Sequence, residues 1–218
     1  MESIKVSFVK RLVQFDVDST FIQQEAIELL AGKAGVLTEV ASITASAMKG
    51  ELDFSESLTA RVHLLKGLPE SVIDEVRNEI TLTDGAADLV KTLHAKGHSV
   101  SLVSGGFIDI IKPLIDSLGI VYFKANTLEI IDGKLTGKVL GTIIDRGGKA
   151  AALVEFAAAS AVAMENTVVI GDGANDLDMM AIAGLSIAFN AKPIVAQAAD
   201  ISITEPTLNS VLTLMGEN

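Results

Sequence analysis

Short apolar runs that stop on an acidic, hydroxyl or glycine residue recur along this chain, and stretches of helical periodicity separate most of them. Leu12 to Phe15 stops at Asp16, Ser99 to Val103 at Ser104, and Thr167 to Ile170 at Gly171 and Asp172. Runs this short and this apolar fit strands buried on both faces of a parallel sheet. Further strands are expected at Val121 to Phe123, Asn126 to Ile131, Lys138 to Leu140, Leu185 to Phe189 and Asp200 to Ile203. Helical patterns fall at Ala86 to Ala95, at Ile108 to Leu118, at an Ala-rich Lys149 to Ala163 and at Asp176 to Ala183. Strands alternating with helices predict an α/β fold, a parallel sheet with helices on both faces. Ligands of such sheets sit beyond the carboxyl ends of the strands, so the residues just after each run carry the most information.

One segment breaks the alternation. From Phe21 to about Ile80 strand-like runs disappear and apolar residues recur at helical spacing, as at Ile27, Leu30, Ala31 and Ala34. The expected organisation is a core of residues 1–20 and 81–218 interrupted by a helical insertion of residues 21–80. With 218 residues, 49% apolar and 21% charged, the chain can bury a large core and is not of the disordered class. Its net charge of −11 excludes the phosphate-neutralising surface of a nucleic-acid binder. The absence of cysteine removes disulfides, zinc ribbons, iron–sulfur clusters and thiol nucleophiles. Uncharged stretches such as Phe156 to Met164 are far shorter than the roughly 20 apolar residues that span a bilayer. Early charges at Glu2, Lys5, Lys10 and Arg11 leave no leader pattern. The reading is a cytoplasmic protein without a membrane partner.

Three strand ends carry unusual chemistry. After the first comes Asp16-Val17-Asp18-Ser19-Thr20. In extended geometry its two carboxylates project from the same side, and like charges that close call for a cation between them. Oxygen ligands suit Mg²⁺, although a helix cap and a solvated turn also use Asp and Ser. After the Ser99 to Val103 run, Ser104-Gly105-Gly106-Phe107 opens a helix, where a hydroxyl and exposed N–H groups form an anion pocket or an ordinary turn. After Thr167 to Ile170 comes Gly171-Asp172-Gly173-Ala174-Asn175-Asp176, with two carboxylates four residues apart and small residues between them. That spacing suits a metal site or a capped turn, and it lacks the alternating ligands and terminal Glu of an EF-hand. Lys149, preceded by two glycines, starts the long Ala-rich helix. Alone it reads as a surface lysine. Together, a carboxylate nucleophile, a second carboxylate for proton transfer, a Mg²⁺ site, a Ser/Gly phosphate pocket and a lysine are what phosphoryl transfer through an aspartyl-phosphate requires.

These blocks resemble the four motifs of the haloacid dehalogenase-like phosphatases: Asp16 to Thr20, Ser104 to Phe107, Lys149 within Asp145-Arg146-Gly147-Gly148-Lys149, and Gly171 to Asp176. The similarity runs from about Leu12 to Ala188-Phe189-Asn190-Ala191-Lys192-Pro193. It implies a Rossmann-like doubly wound parallel sheet with a small inserted α-helical cap. It further implies hydrolysis of O-phosphoserine to serine and phosphate with Mg²⁺, as in serine biosynthesis. Asp16 is then the nucleophile and Asp18 the proton donor and later the base. Mg²⁺ is held by the Asp16 carboxylate, the Asp18 carbonyl and Asp172, with Asp176 binding or supporting it. Ser104, Gly105, Lys149 and Asn175 hold the phosphoryl group. In the cap, Glu25 and Arg61 fall where the resemblance places contacts to the substrate ammonium and carboxylate, and Met48 and Phe54 where it places an apolar lid. An amine pairs with Glu, and a carboxylate fits the fork of Arg.

The resemblance implies a small-molecule phosphomonoester as partner, no nucleic acid, and a monomer or homodimer. Two alternatives stand beside this reading. One is a phosphatase or phosphotransferase for another small phosphomonoester such as phosphohomoserine. The other is a receiver-like phospho-acceptor module, which needs neither Asp18 nor a cap. The departures from the family pattern are Phe21, Asp84 and Gly148, and none removes a reactive group.

Overall fold

The computed structural model describes residues 8–48 and 51–217, the Met48 side chain excepted. Among these, seven strands form one sheet: β1 Leu12–Asp16, β2 Ser99–Phe107, β3 Tyr122–Ile131, β4 Lys134–Leu140, β5 Thr167–Gly171, β6 Leu185–Phe189 and β7 Ile201–Ile203. Their order is β4-β3-β2-β1-β5-β6-β7. Every neighbouring pair is parallel except the β3–β4 hairpin. Ten helices accompany them: α1 Ala26–Ala34, α2 Leu37–Met48, α3 Phe54–His63, α4 Val72–Glu79, α5 Ala86–Ala95, α6 Ile108–Ser117, α7 Arg146–Ala159, α8 Leu177–Ile182, α9 Pro193–Ala198 and α10 Val211–Leu214. No described helix is long and apolar enough to cross a membrane.

The period-two geometry of a strand explains the two layers. Val13 and Phe15 of β1 belong to one apolar cluster, which also takes in Leu89 of α5, Ile111 of α6, and Leu30 and Leu58 of the insertion. Leu12 faces the other way, into a cluster with Leu153 of α7 and Met179 of α8. All of β1 is buried, which is why its run is apolar almost throughout. The chain goes from β1 to β2 and β3 on one side and to β5, β6 and β7 on the other. That reversal of strand order opens a crevice at the carboxyl end of β1. Register brings the neighbouring strand ends to the same level, since Asp16 pairs with Val103 and Phe15 with Ile170.

The helical segment between β1 and α5 enters and leaves side by side. Gln23 N–H donates to the Thr81 carbonyl at 3.0 Å and Thr83 N–H to that of Phe21 at 3.0 Å. Phe21, one of the departures, is fully buried with its ring 5.4 Å from that of Phe15. The segment is also stitched to the hairpin: Gly67 N–H donates to the Leu135 carbonyl, and Leu135 N–H to that of Leu68. The Arg77 Nε of α4 donates to the Asp109 carbonyl of α6 at 2.9 Å. These contacts hold α1 to α4 over the crevice.

Several expected boundaries move. β2 does not stop at Val103 but runs through the Ser-Gly-Gly-Phe block, with a register shift against β3 between Val103 and Phe107. The block is thus an irregular strand end, and the helix starts only at Ile108. The two expected strands around Lys124 are one, because that charged side chain leaves the sheet face for an ion pair with Glu155 of α7. β4 begins at Lys134, and its antiparallel pairing follows from the tight turn at Asp132-Gly133, which reverses the chain. The Ala-rich helix begins at Arg146 and ends at Ala159, because Ala161 adopts a left-handed φ of 54°. α9 and α10 were not legible as helices, being six and four residues long.

Candidate active site

The crevice holds a cavity of about 400 Å³, within the usual range for small-molecule sites. Its wall takes Asp16, Asp18, Glu25, Phe54, Arg61, Gly105, Asp172 and Asn175 from the sequence-derived set. Ser104, Lys149 and Asp176 are fully buried and stand behind that wall. Met48 ends α2, and its side chain lies outside the described residues.

Asp16 closes β1 and is 4% exposed. The expected extended Asp16–Asp18 pair does not form, because the strand ends at Asp16. The chain then winds through a turn over Val17–Phe21 in which Ser19 takes a left-handed φ of 57°. Asp18 is instead oriented from two sides. Its Oδ1 accepts the Ala26 N–H at the start of α1 at 2.8 Å, and its Oδ2 accepts the Ser104 hydroxyl at 2.9 Å. The Ser104 oxygen accepts the Gly106 N–H at 2.7 Å. Burial raises the Asp18 pKa, the bonds from Ala26 and Ser104 opposing. The direction is that of a carboxyl able to keep a proton for delivery.

Lys149 sits in the first turn of α7, which Asp145 caps by accepting the Gly148 N–H at 2.8 Å. Its ammonium donates to Asp16 Oδ1 at 2.5 Å and to Asp176 Oδ1 at 2.7 Å. Burial alone would lower its pKa, but the charges of Asp16 and Asp176 outweigh this and hold it raised. Lys149 is therefore a fixed cation with no exposure. Asp176 spends its other oxygen on the N–H groups of Asp172 and Gly173, at 3.1 and 3.0 Å. It braces the Gly171–Asp176 loop from behind. Asp172 Oδ1 accepts the Thr20 hydroxyl at 3.3 Å.

Asp16, Asp172 and Asp176 each offer a carboxylate oxygen within 4.8 Å of the others. Burial, and then the Asp176 charge, push the Asp16 carboxyl well up against the pull of Lys149, and burial followed by the Asp176 charge also raises Asp172. Three carboxylates against one lysine leave excess negative charge, and a hard divalent cation with oxygen ligands offsets it. The donor set fits such an ion. The Asp18 carboxylate is not part of this cluster.

The insertion supplies the opposite wall. Glu25 precedes α1 and accepts the Ser19 hydroxyl at 2.6 Å. Burial, and then the charge of Asp18, raise its pKa to about 7. Arg61 of α3 is mostly buried, and burial lowers its pKa. Phe54 lies over Gly105: a β-carbon there would stand 2.5 Å from the Phe54 Cζ. Arg146, paired with Asp178, and Lys192 also line the cavity. Both sit inside blocks recognised in the sequence, yet neither was singled out, nor was Ser19. Their signal was a cation or hydroxyl within a motif, which spacing alone does not set apart from a solvated residue.

Known proteins share much of this sequence. A phosphoserine phosphatase of Streptomyces coelicolor is 56% identical over 207 residues, which are 95% of this chain and 50% of that protein. One from Streptococcus thermophilus is 50% identical over 212 residues, covering 97% of this chain and 99% of the relative. The chain spans about half the length of the Streptomyces relative and of one from Mycobacterium tuberculosis. A solved structure described as a phospho-aspartyl intermediate analogue of phosphoserine phosphatase superposes with a TM-score of 0.89. It is 43% identical, over 94% of this chain and 99% of that one. The signature of the haloacid dehalogenase-like hydrolases matches residues 13–181, a span that starts in β1 and runs past the Gly171–Asp176 loop into α8. With that signature matched over most of its length, the chain belongs to the haloacid dehalogenase-like hydrolases.

Proposed function

We propose that this hydrolase is a phosphoserine phosphatase, releasing serine and inorganic phosphate through an aspartyl-phosphate on Asp16. The observation that carries the reading is one cavity lined both by the buried Asp16 with Asp18 and by Glu25 and Arg61. These are a nucleophile and acid for a phosphomonoester beside an acidic and a basic side chain of the kinds that receive an amine and a carboxylate. The named relatives support the same substrate. Residues 21–80 serve as the cap and residues 1–20 and 81–218 as the catalytic core. Family membership and the Asp18 proton donor set the receiver-like alternative aside.

Lys149 engages Asp16 Oδ1, which leaves Oδ2 to attack phosphorus. As the bond from phosphorus to the serine oxygen breaks, Asp18 gives its proton to that oxygen. Asp18, now a carboxylate, takes a proton from water, whose oxygen attacks phosphorus and frees Asp16. Ser104 keeps Asp18 aimed during both transfers. The Gly105 N–H and Asn175 orient the phosphoryl oxygens, and the buried Lys149 charge stabilises the charge developing there. Glu25 receives the ammonium and Arg61 the carboxylate, while Phe54 excludes water above Gly105. Asp16, Asp172 and the Asp18 carbonyl, braced by Asp176, would hold Mg²⁺, which would supply the charge neutralisation that an anion needs to approach an acidic pocket. A cysteine-free chain suits a reducing cytoplasm.

The test is phosphate release from O-phosphoserine and a panel of small phosphomonoesters with Mg²⁺, repeated with a chelator and with Asp16→Asn. Preference for phosphoserine that vanishes in both controls is expected. Wild-type turnover by Asp16→Asn would remove the nucleophile from the scheme.

A further inference from the structure

One side chain in the cavity wall has a polar atom with nothing to bind. Three buried side-chain atoms lack a hydrogen-bond partner among the described residues: Ser57 Oγ, His98 Nε2 and Ser210 Oγ. Of these three residues only Ser57 lines the cavity. It is 1% exposed, on α3, one turn before Arg61. A serine inside a helix ordinarily returns its hydroxyl to the carbonyl four residues earlier. Here the Asp53 carbonyl takes the Ser57 N–H at 3.0 Å, and no bond from Oγ accompanies it. Alanine would be the better helix former at this position and would bury no polar atom. The serine is thus a standing cost to the unliganded fold.

The neighbouring turn shows what would offset that cost. Arg61 Nε donates to the Ser57 carbonyl at 3.2 Å, which draws the guanidinium stem back along the Ser57 turn. Residues four apart share a helix face, so hydroxyl and guanidinium present donors to the same stretch of cavity. A carboxylate has about four lone-pair sites, and a guanidinium fork fills two of them. We propose that Ser57 is a substrate-binding residue whose hydroxyl donates to the substrate carboxylate held by Arg61. The assignment rests on the phosphoserine reading and deepens it. The amino-acid end of the ligand is recognised by a two-residue clamp on α3, and the unliganded cap gives up stability to keep the second donor ready.

The experiment compares Ser57→Ala with wild type on O-phosphoserine and on O-phosphoethanolamine, which keeps the phosphate and amino group and lacks only the carboxylate. A hydrogen bond to a charged group corresponds to roughly tenfold in affinity. KM for phosphoserine should rise by about that factor, more than kcat falls, and the preference for phosphoserine over phosphoethanolamine should shrink to match. The ligand-free Tm of the variant should be equal to or above that of wild type. An unchanged preference overturns the proposal, as does an equal loss on both substrates accompanied by a lower Tm. A wild-type enzyme with no preference for phosphoserine over phosphoethanolamine refutes the phosphoserine reading itself, before the variant is considered.

Discussion

Replacing Lys149 with methionine keeps the length of the side chain and removes its charge. The Asp16 and Asp176 carboxylates it bridges are then left facing each other, 4% and 0% exposed, with oxygens within 4.8 Å. Two unit charges at that separation, at an effective dielectric of ~20, repel by about 3.5 kcal/mol. The range for breaking a buried ion pair from one side, about 3–5 kcal/mol, agrees. For a chain of this size each kcal/mol shifts Tm by about 2–4 °C, so Lys149→Met should melt roughly 6–20 °C below wild type in metal-free buffer at pH 7.5. The pH dependence has a definite sign. Burial and the Asp176 charge already hold the Asp16 carboxyl well above its ordinary value, and without the lysine it lies further above, so stability is retained below its unfolded value near 4 and is lost as pH rises through the folded one. The gap to wild type should therefore narrow toward pH 4. Adding Mg²⁺ should raise the Tm of the variant more than that of wild type, since the ion replaces part of the missing charge. Calorimetry at both pH values, with and without metal, decides it. A variant within 2 °C of wild type at pH 7.5 without metal would falsify the claim that Lys149 neutralises a buried repulsive pair.

Glu25 and Gly106 offer tests elsewhere in the site. The Glu25 pKa of about 7 lies above its ordinary 4.5, so the fold favours its neutral form. This contribution is complete below pH 4.5 and disappears as pH rises through 7, a change of up to about 3 kcal/mol. Glu25→Gln should thus be more stable than wild type at pH 8 and no more stable at pH 4.5, while its KM for phosphoserine rises. Equal melting temperatures at pH 8 would contradict this. A β-carbon on Gly106 would stand 2.5 Å from Asp18 Oδ2 and 3.0 Å from Ser104 Oγ, so Gly106→Ala should displace the proton donor. The expected loss is about 100-fold in kcat with a smaller change in KM. A kcat within threefold of wild type would show that Asp18 tolerates the shift.

Most of the core was legible because burial writes itself into composition. β1 and β5 are buried on both faces and read as apolar runs, broken in β1 only by Gln14, and their ends announce Asp16 and Gly171-Asp172. β3 misled because Lys124 and Ala125 resemble a break, when Lys124 merely reaches out to Glu155. The end of β2 misled for a different reason. Ser104, Gly105 and Gly106 have the composition of a turn, yet they continue β2 across the register shift between Val103 and Phe107, the two residues paired with β3 on either side. In the insertion, spacing predicted helices but not how they sit, since α1 to α4 are placed by contacts to Leu135 and Asp109 that lie far along the chain.

What the sequence determined alone was the inventory: an alternating α/β core, a helical insertion, three blocks of chemistry at strand ends and a fourth at the start of a helix, and an acidic balance of charge. What tertiary structure decided was which atoms meet. Asp18 is held between Ala26 and Ser104, Lys149 is sunk between Asp16 and Asp176, and Ser57 is left with a hydroxyl unpaired beside Arg61. The physical reason is one of range. Periodicity and composition report burial, which each residue carries by itself, whereas hydrogen bonds and ion pairs are directional and short. Partners such as Lys149 and Asp16, 133 residues apart, are joined only by the packing that brings the start of α7 against the end of β1.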